Sequence, residues 1–151
     1  MLNNKSILIT RGTGSFGKSF VNILTKKFKK INKLIKFSRD ELNTSELILW
    51  SDIVISSATS VLVESIQRDK LTICLEYLTP EKDNYASFFS DHSKVVCIAN
   101  SSKDVINIIN KFYSNRKFKV IDEKDVDLFL DSFINRKYKG YNIIENTLKY
   151  Y

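Results

Sequence analysis

The feature that most constrains the fold is a glycine cluster placed between a strand-like segment and a helix-like segment. Three of the four glycines in the chain, Gly12, Gly14 and Gly17, fall within six residues. The preceding residues 6–10 form the short apolar run of a buried strand, and apolar residues recur at helical spacing over residues 16–31. Strand, tight turn and helix in this order predict the first unit of a parallel α/β sheet.

These glycines have the spacing G-x-G-x-x-G, which is typical of a turn that binds a dinucleotide. One glycine permits a tight turn, a second lets backbone N–H groups approach a pyrophosphate, and a third lets the helix pack closely on the strand. The helix start adds partial positive charge that favours an anion. We therefore predict that a dinucleotide pyrophosphate is contacted by Gly12, Thr13, Gly14, Ser15, Phe16 and Gly17.

A second group of candidate cofactor contacts follows the next strand-like run. Ser38, Arg39 and Asp40 come directly after the run that ends at Phe37, about 22 residues beyond the glycine loop. Folds of this kind place the group that reads the adenosine ribose at this distance, and a nearby arginine accommodates the 2′-phosphate of NADP. These residues therefore favour NADP as the predicted cofactor.

The glycine segment also satisfies a different phosphate-binding pattern. Residues 12–19 match the P-loop G-x-x-x-x-G-K-S. A P-loop enzyme also needs an acid at the end of a later buried strand, whereas Asp40 follows the second predicted strand and Asp52 precedes the third. The P-loop, and a glycine turn without any ligand, are the less favoured alternatives.

Charge is distributed unevenly along the chain. Its 151 residues carry 24 Lys and Arg against 17 Asp and Glu, and 10 of the basic residues precede the first acid, Asp40. Such a basic segment indicates a nucleic acid, an acidic membrane surface or a phosphate-bearing ligand. Its lysines at 26, 27, 29 and 30 lie on one predicted helix without the interleaved exposed aromatics of a stacking platform or any recognisable nucleic-acid motif. We therefore expect no nucleic-acid partner and keep a nucleic-acid or acidic-surface module as the alternative.

Length and hydropathy favour one domain with a packed core. A chain of 151 residues with 43% hydrophobic residues is typical of a single globular domain. No apolar run approaches the roughly 18 residues that a membrane span needs, and the N-terminus lacks the features of a signal peptide. We expect a cytoplasmic location and no membrane span.

Apolar runs alternate with helical patterns, which predicts an α/β fold. Buried strands of four or five residues separated by helices are typical of a Rossmann-like parallel sheet with helices on both faces. About five strands are predicted, over residues 6–10, 34–37, 52–56, 71–75 and 95–98.

Three helices follow from the same patterns. One is predicted over about residues 60–69, and a second begins at Ser101, which forms a capping box with Asp104. The stretch around Pro80 is predicted to be a long loop. A C-terminal amphipathic helix is predicted from the spacing of Val126, Phe129, Leu130, Phe133 and Ile134.

Three reactive side chains are interpreted as structural. Cys74 and Cys97 each lie inside an apolar run and have no Cys or His at metal-ligand spacing, so they are predicted to be reduced core residues. His92 lies in a polar stretch that supplies no partner for a base, so it is predicted to be a loop residue. No metal site is predicted.

Residues 3–10, the glycine loop 12–18 and residues 37–42 resemble the start of the UDP-N-acetylglucosamine 4,6-dehydratases of the CapD-like polysaccharide-biosynthesis family, which are extended short-chain dehydrogenase/reductases. The resemblance ends near Leu42 and implies an NADP-binding Rossmann unit. Arg11 stands where that family normally has glycine. We expect the chain to lack the family's catalytic Tyr-x-x-x-Lys pair, and we predict no catalytic residues.

Beyond about residue 47 the chain is similar to the nucleotide-sugar half of GT-B glycosyltransferases. The resemblance covers residues 52–112 diffusely, with Ala58 near the place of that family's glycine. It implies that Ser57, Thr59 and Ser60 contact a diphosphate and that Glu64 contacts a ribose. The equally weighted alternative is structural, because Thr59 or Ser60 is also a good helix N-cap and Glu64 can be a solvated helix residue.

The two resemblances meet at residues 43–46, and we interpret the chain as a truncated or fused product. We predict a single Rossmann-like domain made of a dehydratase-like unit (1–42), a glycosyltransferase-like unit (47–135) and a tail (136–151). Its predicted function is nucleotide binding, of NADP or a UDP-sugar, in cell-surface polysaccharide biosynthesis without full catalysis. A glycosyltransferase-like fragment is the alternative. Self-association, or association with other polysaccharide enzymes, is left open.

Overall fold

A computed structural model describes residues 6–10, 43–78, 84–115 and 121–133, together with the helical positions 18, 21, 22 and 26. For residues 84–87 and 133 the description covers the backbone. The elements, in chain order, are β1 (Ile7–Ile9), α1 (Thr44–Trp50), β2 (Ile53–Ser56), α2 (Ser60–Gln67), β3 (Leu71–Leu75), a 3-10 turn (Glu76–Leu78), α3 (Asn84–Asp91), β4 (Cys97–Ala99), α4 (Ser102–Ser114) and α5 (Glu123–Phe133).

The strands form one parallel sheet in the order β1-β2-β3-β4. Ile9 pairs with Ile55 on the neighbouring strand, and Ser56 pairs with Cys74 on the next. All strands run the same way, so their carboxyl ends lie along one side of the sheet, named here the carboxyl edge. The opposite side is the amino edge.

One face of the sheet packs against α4. Ile55 and Ile73 point to this face and are fully buried against Val105 and Ile109 of the helix. The opposite face packs against the other described helices, α1, α2, α3 and α5, through the apolar residues Leu47, Ile48, Leu62, Ile66, Phe89, Phe129 and Leu130. Both faces are therefore covered, which explains why β2 and β3 are buried along their whole length and are apolar except at Ser56 and Thr72.

The predicted fold class is confirmed: a parallel Rossmann-like α/β sheet has helices on both faces and an amphipathic C-terminal helix. The number of strands needs correction, because the described residues contain four rather than about five. The predicted strand at 34–37 lies outside the described residues. The last strand begins at Cys97 instead of Val95, since Val95 and Val96 lie in a turn and bury their side chains beneath the helices.

Side-chain caps define the starts of two helices. Asn43 begins α1 with a capping box, in which its side chain accepts a hydrogen bond from the Glu46 N–H and the Glu46 carboxylate accepts one from the Asn43 N–H. The segment 43–46, where the two resemblances meet, is thus the start of a helix. The predicted cap of α4 is confirmed, because Ser101 Oγ accepts from the Asp104 N–H at 3.2 Å.

The long loop predicted around Pro80 is wrong in part. It contains the 3-10 turn and the helix α3, whose Phe89 is fully buried. Polar residues outnumber apolar ones in this stretch, which is why the sequence pattern indicates a loop. The helix packs on the core through its aromatic residues. None of the described helices combines the length and apolar composition that a membrane span requires.

Candidate nucleotide site

At the carboxyl edge beside β1 and β2, three hydroxyl groups are hydrogen-bonded in series, and this series is called the hydroxyl chain. Thr10, the residue after β1, donates its N–H to the Ile55 carbonyl at 3.1 Å and its hydroxyl to Ser56 Oγ at 2.6 Å. Ser56 Oγ shares a 3.1 Å hydrogen bond with Thr59 Oγ1. Ser56 is fully buried, and these hydrogen bonds connect Thr10, just after β1, to Thr59 at the start of α2.

Thr59 is the N-cap residue of α2, as the sequence allowed, but its hydroxyl makes no capping hydrogen bond to the helix. It turns toward Ser56 instead. The first turn of α2 contains no acidic residue, so no side chain of its own offsets the partial positive charge of the helix start. The neighbouring candidates Ser57 and Ser60 are half-buried and exposed, respectively, and both lie at this edge.

Glu64 lies apart from the other candidates. It is one turn further along α2 than Ser60, and its Oε1 accepts hydrogen bonds from Ser45 Oγ of α1 and from the Arg68 guanidinium at 3.3 Å. The structure therefore brings Ser57, Thr59 and Ser60 together at the carboxyl edge and gives Glu64 contacts that link α1 to α2. Its role as a ribose contact stays a prediction.

The predicted cofactor contacts lie outside the described residues. They are Gly12, Thr13, Gly14, Ser15, Phe16 and Gly17 of the loop, and Ser38, Arg39 and Asp40. Among the described neighbours of these residues, Thr10 follows β1 at the carboxyl edge, and Lys18 is helical and exposed.

Two polar residues at the carboxyl edge were not among the predicted site residues. Glu76, which follows β3, accepts a 2.5 Å hydrogen bond from Ser90 Oγ of α3. The Tyr77 hydroxyl shares a 3.2 Å hydrogen bond with Ser102 Oγ at the start of α4. Burial raises the pKa of Tyr77, the Ser102 hydrogen bond opposes the rise, and the charge of Asp104 adds to it. Their position immediately after a buried strand is the sequence signal that could have identified them.

The expectation that no Tyr-x-x-x-Lys occurs is wrong, because Tyr113 and Lys117 have this spacing. The structure nevertheless places Tyr113 at the opposite edge of the sheet from Thr10. It lies near the end of α4 at the amino edge, where burial and then the charge of Asp52 raise the pKa of its hydroxyl. A catalytic tyrosine needs a lowered pKa to act as a base, and this hydroxyl has the opposite shift.

A cavity of about 200 Å³ also lies at the amino edge. It is lined by Asp52, Asp69, Lys70, Leu71, Phe112 and Ile121. None of the predicted site residues is in this lining. The cavity and the hydroxyl chain thus occupy opposite edges of the sheet.

The cysteines and the histidine have structural surroundings. Cys74 is buried in β3, where burial and then the charge of Glu76 raise its pKa to about 12, so it stays a thiol at neutral pH. Cys97 is half-buried and both cysteines are free. His92 lies in the turn after α3 with Nδ1 2.8 Å from the Phe88 carbonyl oxygen. Among the described residues no cluster of His, Cys, Asp and Glu could hold a metal ion.

Curated proteins match a short part of the chain. UDP-N-acetylglucosamine 4,6-dehydratases (inverting) from Campylobacter jejuni subsp. jejuni, serotypes O:2 and O:23/36, are each 53% identical over 47 residues. The N-terminal part of this chain resembles these dehydratases. The matched stretch is 31% of this chain and 14% of the length of each relative. The resemblance therefore covers a small fragment of the dehydratase.

No protein-family model matches the chain, and no solved structure matches it. The matches give no support to the similarity with GT-B glycosyltransferases. That similarity, the division of the chain at residues 43–46 and the roles of Ser57, Thr59, Ser60 and Glu64 stay predictions.

Proposed function

We propose that the chain binds the diphosphate of a nucleotide, NADP or a UDP-sugar, in the two turns that follow β1 and β2. The observation that carries the proposal is the hydroxyl chain of Thr10, Ser56 and Thr59, which joins these turns at the carboxyl edge. Ligands of open parallel α/β sheets bind outside the carboxyl ends of the strands. In the sequence, the glycine loop follows β1, which ends at that edge. Ser57 and Ser60 lie in the adjacent segment between β2 and α2.

Similarity to the dehydratases supports a nucleotide as the ligand. The relatives are named for acting on UDP-N-acetylglucosamine, a nucleotide sugar, and the resemblance of the N-terminal segment includes the glycine loop. We propose a role in cell-surface polysaccharide biosynthesis, in the cytoplasm, as a binding domain. A complete dehydration reaction is not part of the proposal, because the Tyr113 hydroxyl lies at the opposite edge of the sheet from Thr10.

A titration of the purified chain with NADPH, UDP-N-acetylglucosamine and a random DNA duplex tests the proposal. We expect saturable binding of one of the nucleotides and weak binding of the duplex. Duplex binding alone, with a steep dependence on salt concentration, would overturn the proposal in favour of a nucleic-acid module. Binding of none of the three ligands would overturn it as well.

Glycine variants locate the site. Gly14→Val places a side chain where the backbone approaches the pyrophosphate, so we expect it to abolish nucleotide binding. Gly140→Val changes the one glycine outside the loop and serves as the matched control, with binding retained. Equal losses in both variants would point to a general effect on folding rather than to a site in the loop.

An arginine variant distinguishes the two nucleotides. If NADP is the ligand, Arg39→Ala is expected to weaken NADPH binding by about tenfold and to leave NADH binding nearly unchanged, because it removes the charge assigned to the 2′-phosphate. Arg68→Ala is the control, since this arginine pairs with Glu64 on α2. A UDP-sugar site between the same turns would be insensitive to Arg39→Ala.

A further inference from the structure

We propose that His92 forms a protonation-dependent contact that holds α5 against the end of α3. The inference is independent of nucleotide binding. His92 lies in the turn after α3, is half-buried, and packs against Phe88 of α3 and Phe129 of α5. Each of its ring nitrogens lies near an oxygen atom. Nδ1 is 2.8 Å from the Phe88 carbonyl oxygen, and Nε2 is 3.3 Å from Ser132 Oγ of α5.

Proton accounting shows what a neutral ring can bind at this position. A carbonyl oxygen only accepts, so Nδ1 carries a proton when it bonds to Phe88. The other nitrogen of a neutral imidazole, Nε2, is then an acceptor. The Ser132 hydroxyl has one proton and donates it to the Phe129 carbonyl at 2.6 Å. A neutral ring therefore brings two acceptors, Nε2 and Ser132 Oγ, to face each other.

Protonation of the ring turns this contact into a hydrogen bond. Nε2 then carries a proton and donates it to Ser132 Oγ, while Ser132 keeps its own bond to the Phe129 carbonyl. Both ring nitrogens and the hydroxyl are satisfied at the same time. The imidazolium thus adds a hydrogen bond between the turn after α3 and α5 that the neutral ring does not make.

The aromatic rings and the end of α3 also favour the cation. The centroid of the His92 ring is 4.6 Å from that of Phe88 and 5.3 Å from that of Phe129, within the roughly 6 Å over which a cation is attracted to an aromatic ring. The Phe88 carbonyl belongs to the last turn of α3, where the partial negative charge of a helix end stabilises a cation.

The charged side chains on the elements around the ring are mostly acidic, which favours the same form. Asp125 of α5 pairs with Lys94 of the turn at 3.4 Å, so this lysine is partly neutralised. The complete set is Asp91 of α3, Lys94 of the turn, and Glu123, Lys124, Asp125, Asp127 and Asp131 of α5.

The contact should respond to pH in the range in which histidine changes its charge, about pH 5 to 8. His92 is the single histidine of the chain. The folded chain offers the imidazolium one more acceptor and two aromatic rings, so folding favours proton uptake. Its stabilising contribution is therefore present at the acidic end of this range and is lost as pH rises.

Melting temperatures of the full chain at about pH 5.5 and about pH 8 test the proposal. His92→Gln removes the group that takes up the proton. Relative to wild type at the same pH, we expect it to lower the melting temperature by about 3 °C more at the acidic pH, the effect of roughly one hydrogen bond in a chain of this size. Ser132→Ala removes the acceptor and should show the same pH dependence. Losses of equal size at both pH values in His92→Gln would overturn the proposal.

Ser114→Ala is the matched control for the serine variant. Ser114 Oγ donates to the Lys111 carbonyl at 3.2 Å near the end of α4, the same spacing along a helix as the bond from Ser132 to Phe129. We expect its effect on the melting temperature to be the same at both pH values. A loss in Ser132→Ala with no more pH dependence than in Ser114→Ala would contradict the role of the Nε2 contact.

Nitrogen-15 NMR of the wild type tests the proton accounting without any variant. At about pH 8, where the ring is neutral, we expect the proton on Nδ1, because the Phe88 carbonyl requires a donor. A proton on Nε2 at this pH would mean that Ser132 Oγ is the acceptor of the neutral ring. That result would overturn the proposal, since protonation would then add no contact to α5.

Discussion

The side-chain hydrogen bonds at the two edges of the sheet involve different groups. At the amino edge, Asp52 Oδ2 accepts a hydrogen bond from the Ser6 N–H at 2.7 Å. The single proton of the Ser6 hydroxyl is shared between the Trp50 carbonyl oxygen at 2.7 Å and Asp52 Oδ2 at 3.0 Å. At the carboxyl edge, the side-chain hydrogen bonds described between Thr10, Ser56 and Thr59 all join neutral hydroxyls. The amino edge is thus held by a charged acceptor, whereas the carboxyl edge, where we propose that a nucleotide binds, is held by neutral groups.

The carboxylate explains why the amino edge is the stronger connection. Hydrogen bonds to an ionised group are shorter and roughly twice as strong as those between neutral groups. A carboxylate in the place of the Ser56 hydroxyl would repel a diphosphate bound beside β1 and β2, and neutral hydroxyls do not. The following predictions test this division, beginning with the largest expected effect.

Removal of the amino-edge carboxylate should have the largest effect. Asp52→Ala leaves the Ser6 N–H without its acceptor, and we expect the free energy of unfolding to fall by about 3 kcal/mol. Urea unfolding measures the loss. The control is Asp91→Ala, at an exposed site on α3, which should change the free energy of unfolding by less than about 0.5 kcal/mol. Equal losses of unfolding free energy in the two variants would contradict the distinction between the edges. A large loss of nucleotide affinity in an Asp52→Ala variant that still folds would contradict it as well.

Alkaline pH should weaken the protein through Cys74. Its pKa is about 12 in the folded chain against an ordinary value of 9.0, so the unfolded chain releases this proton first. The stabilising contribution is complete below about pH 8 and is lost as pH rises from about 9 toward 12. We expect Cys74 to account for a fall of about 1–2 kcal/mol in unfolding free energy between pH 8 and 10.

Denaturant unfolding of wild type and Cys74→Ala across this pH range measures the contribution. The variant is less stable at pH 7, because the core loses a buried side chain, but its stability should decline less steeply with pH. Parallel curves for the two proteins would show that Cys74 does not cause the alkaline loss.

Removal of the Tyr113 hydroxyl should stabilise the chain. This oxygen is buried and has no hydrogen-bond partner among the described residues, so Tyr113→Phe removes an unsatisfied polar group. We expect a gain of about 1 kcal/mol in unfolding free energy. Tyr77→Phe is the matched control at the carboxyl edge, where the hydroxyl is bonded to Ser102, and it should cost about 1 kcal/mol. Losses in both variants would contradict the assignment for Tyr113.

The smallest effect is expected at the turn before β3. Asp69 has φ of 54°, in the left-handed region, where glycine carries no penalty from a Cβ atom. Asp69→Gly should therefore raise the melting temperature slightly, with a gain of about 0.5 kcal/mol. The control Gln67→Gly, at the last residue of α2, should lower it. A lower melting temperature in Asp69→Gly would show that the Asp69 side chain stabilises the fold by more than the left-handed backbone conformation destabilises it.

The sequence predicted the elements whose signals are local. The apolar runs that became β2 and β3, the cap formed by Ser101 and Asp104, and the spacing of α5 are all readable within a few residues. Helix α3 was missed because its apolar side is only a short aromatic pair, and its burial depends on contact with Phe129 of α5.

Single residues of the candidate site could be predicted from the sequence, but not the contacts between them. Thr59 and Ser60 were identified as the start of a helix after a strand, and the structure places both at the carboxyl edge. Ser56 was missed because its importance comes from Thr10, 46 residues earlier in the chain. The spacing of Tyr113 and Lys117 could not show at which edge the tyrosine lies.

The sequence by itself determined the alternation of strands and helices, the glycine motif and the resemblance of the N-terminal segment to the dehydratases. Only the tertiary structure decided that β1 lies beside β2, that Thr10, Ser56 and Thr59 share one hydrogen-bonded chain, and that Tyr113 lies at the amino edge near Asp52. Local patterns depend on neighbours within one or two turns, whereas strand order and register depend on which buried surfaces pack together across the whole chain.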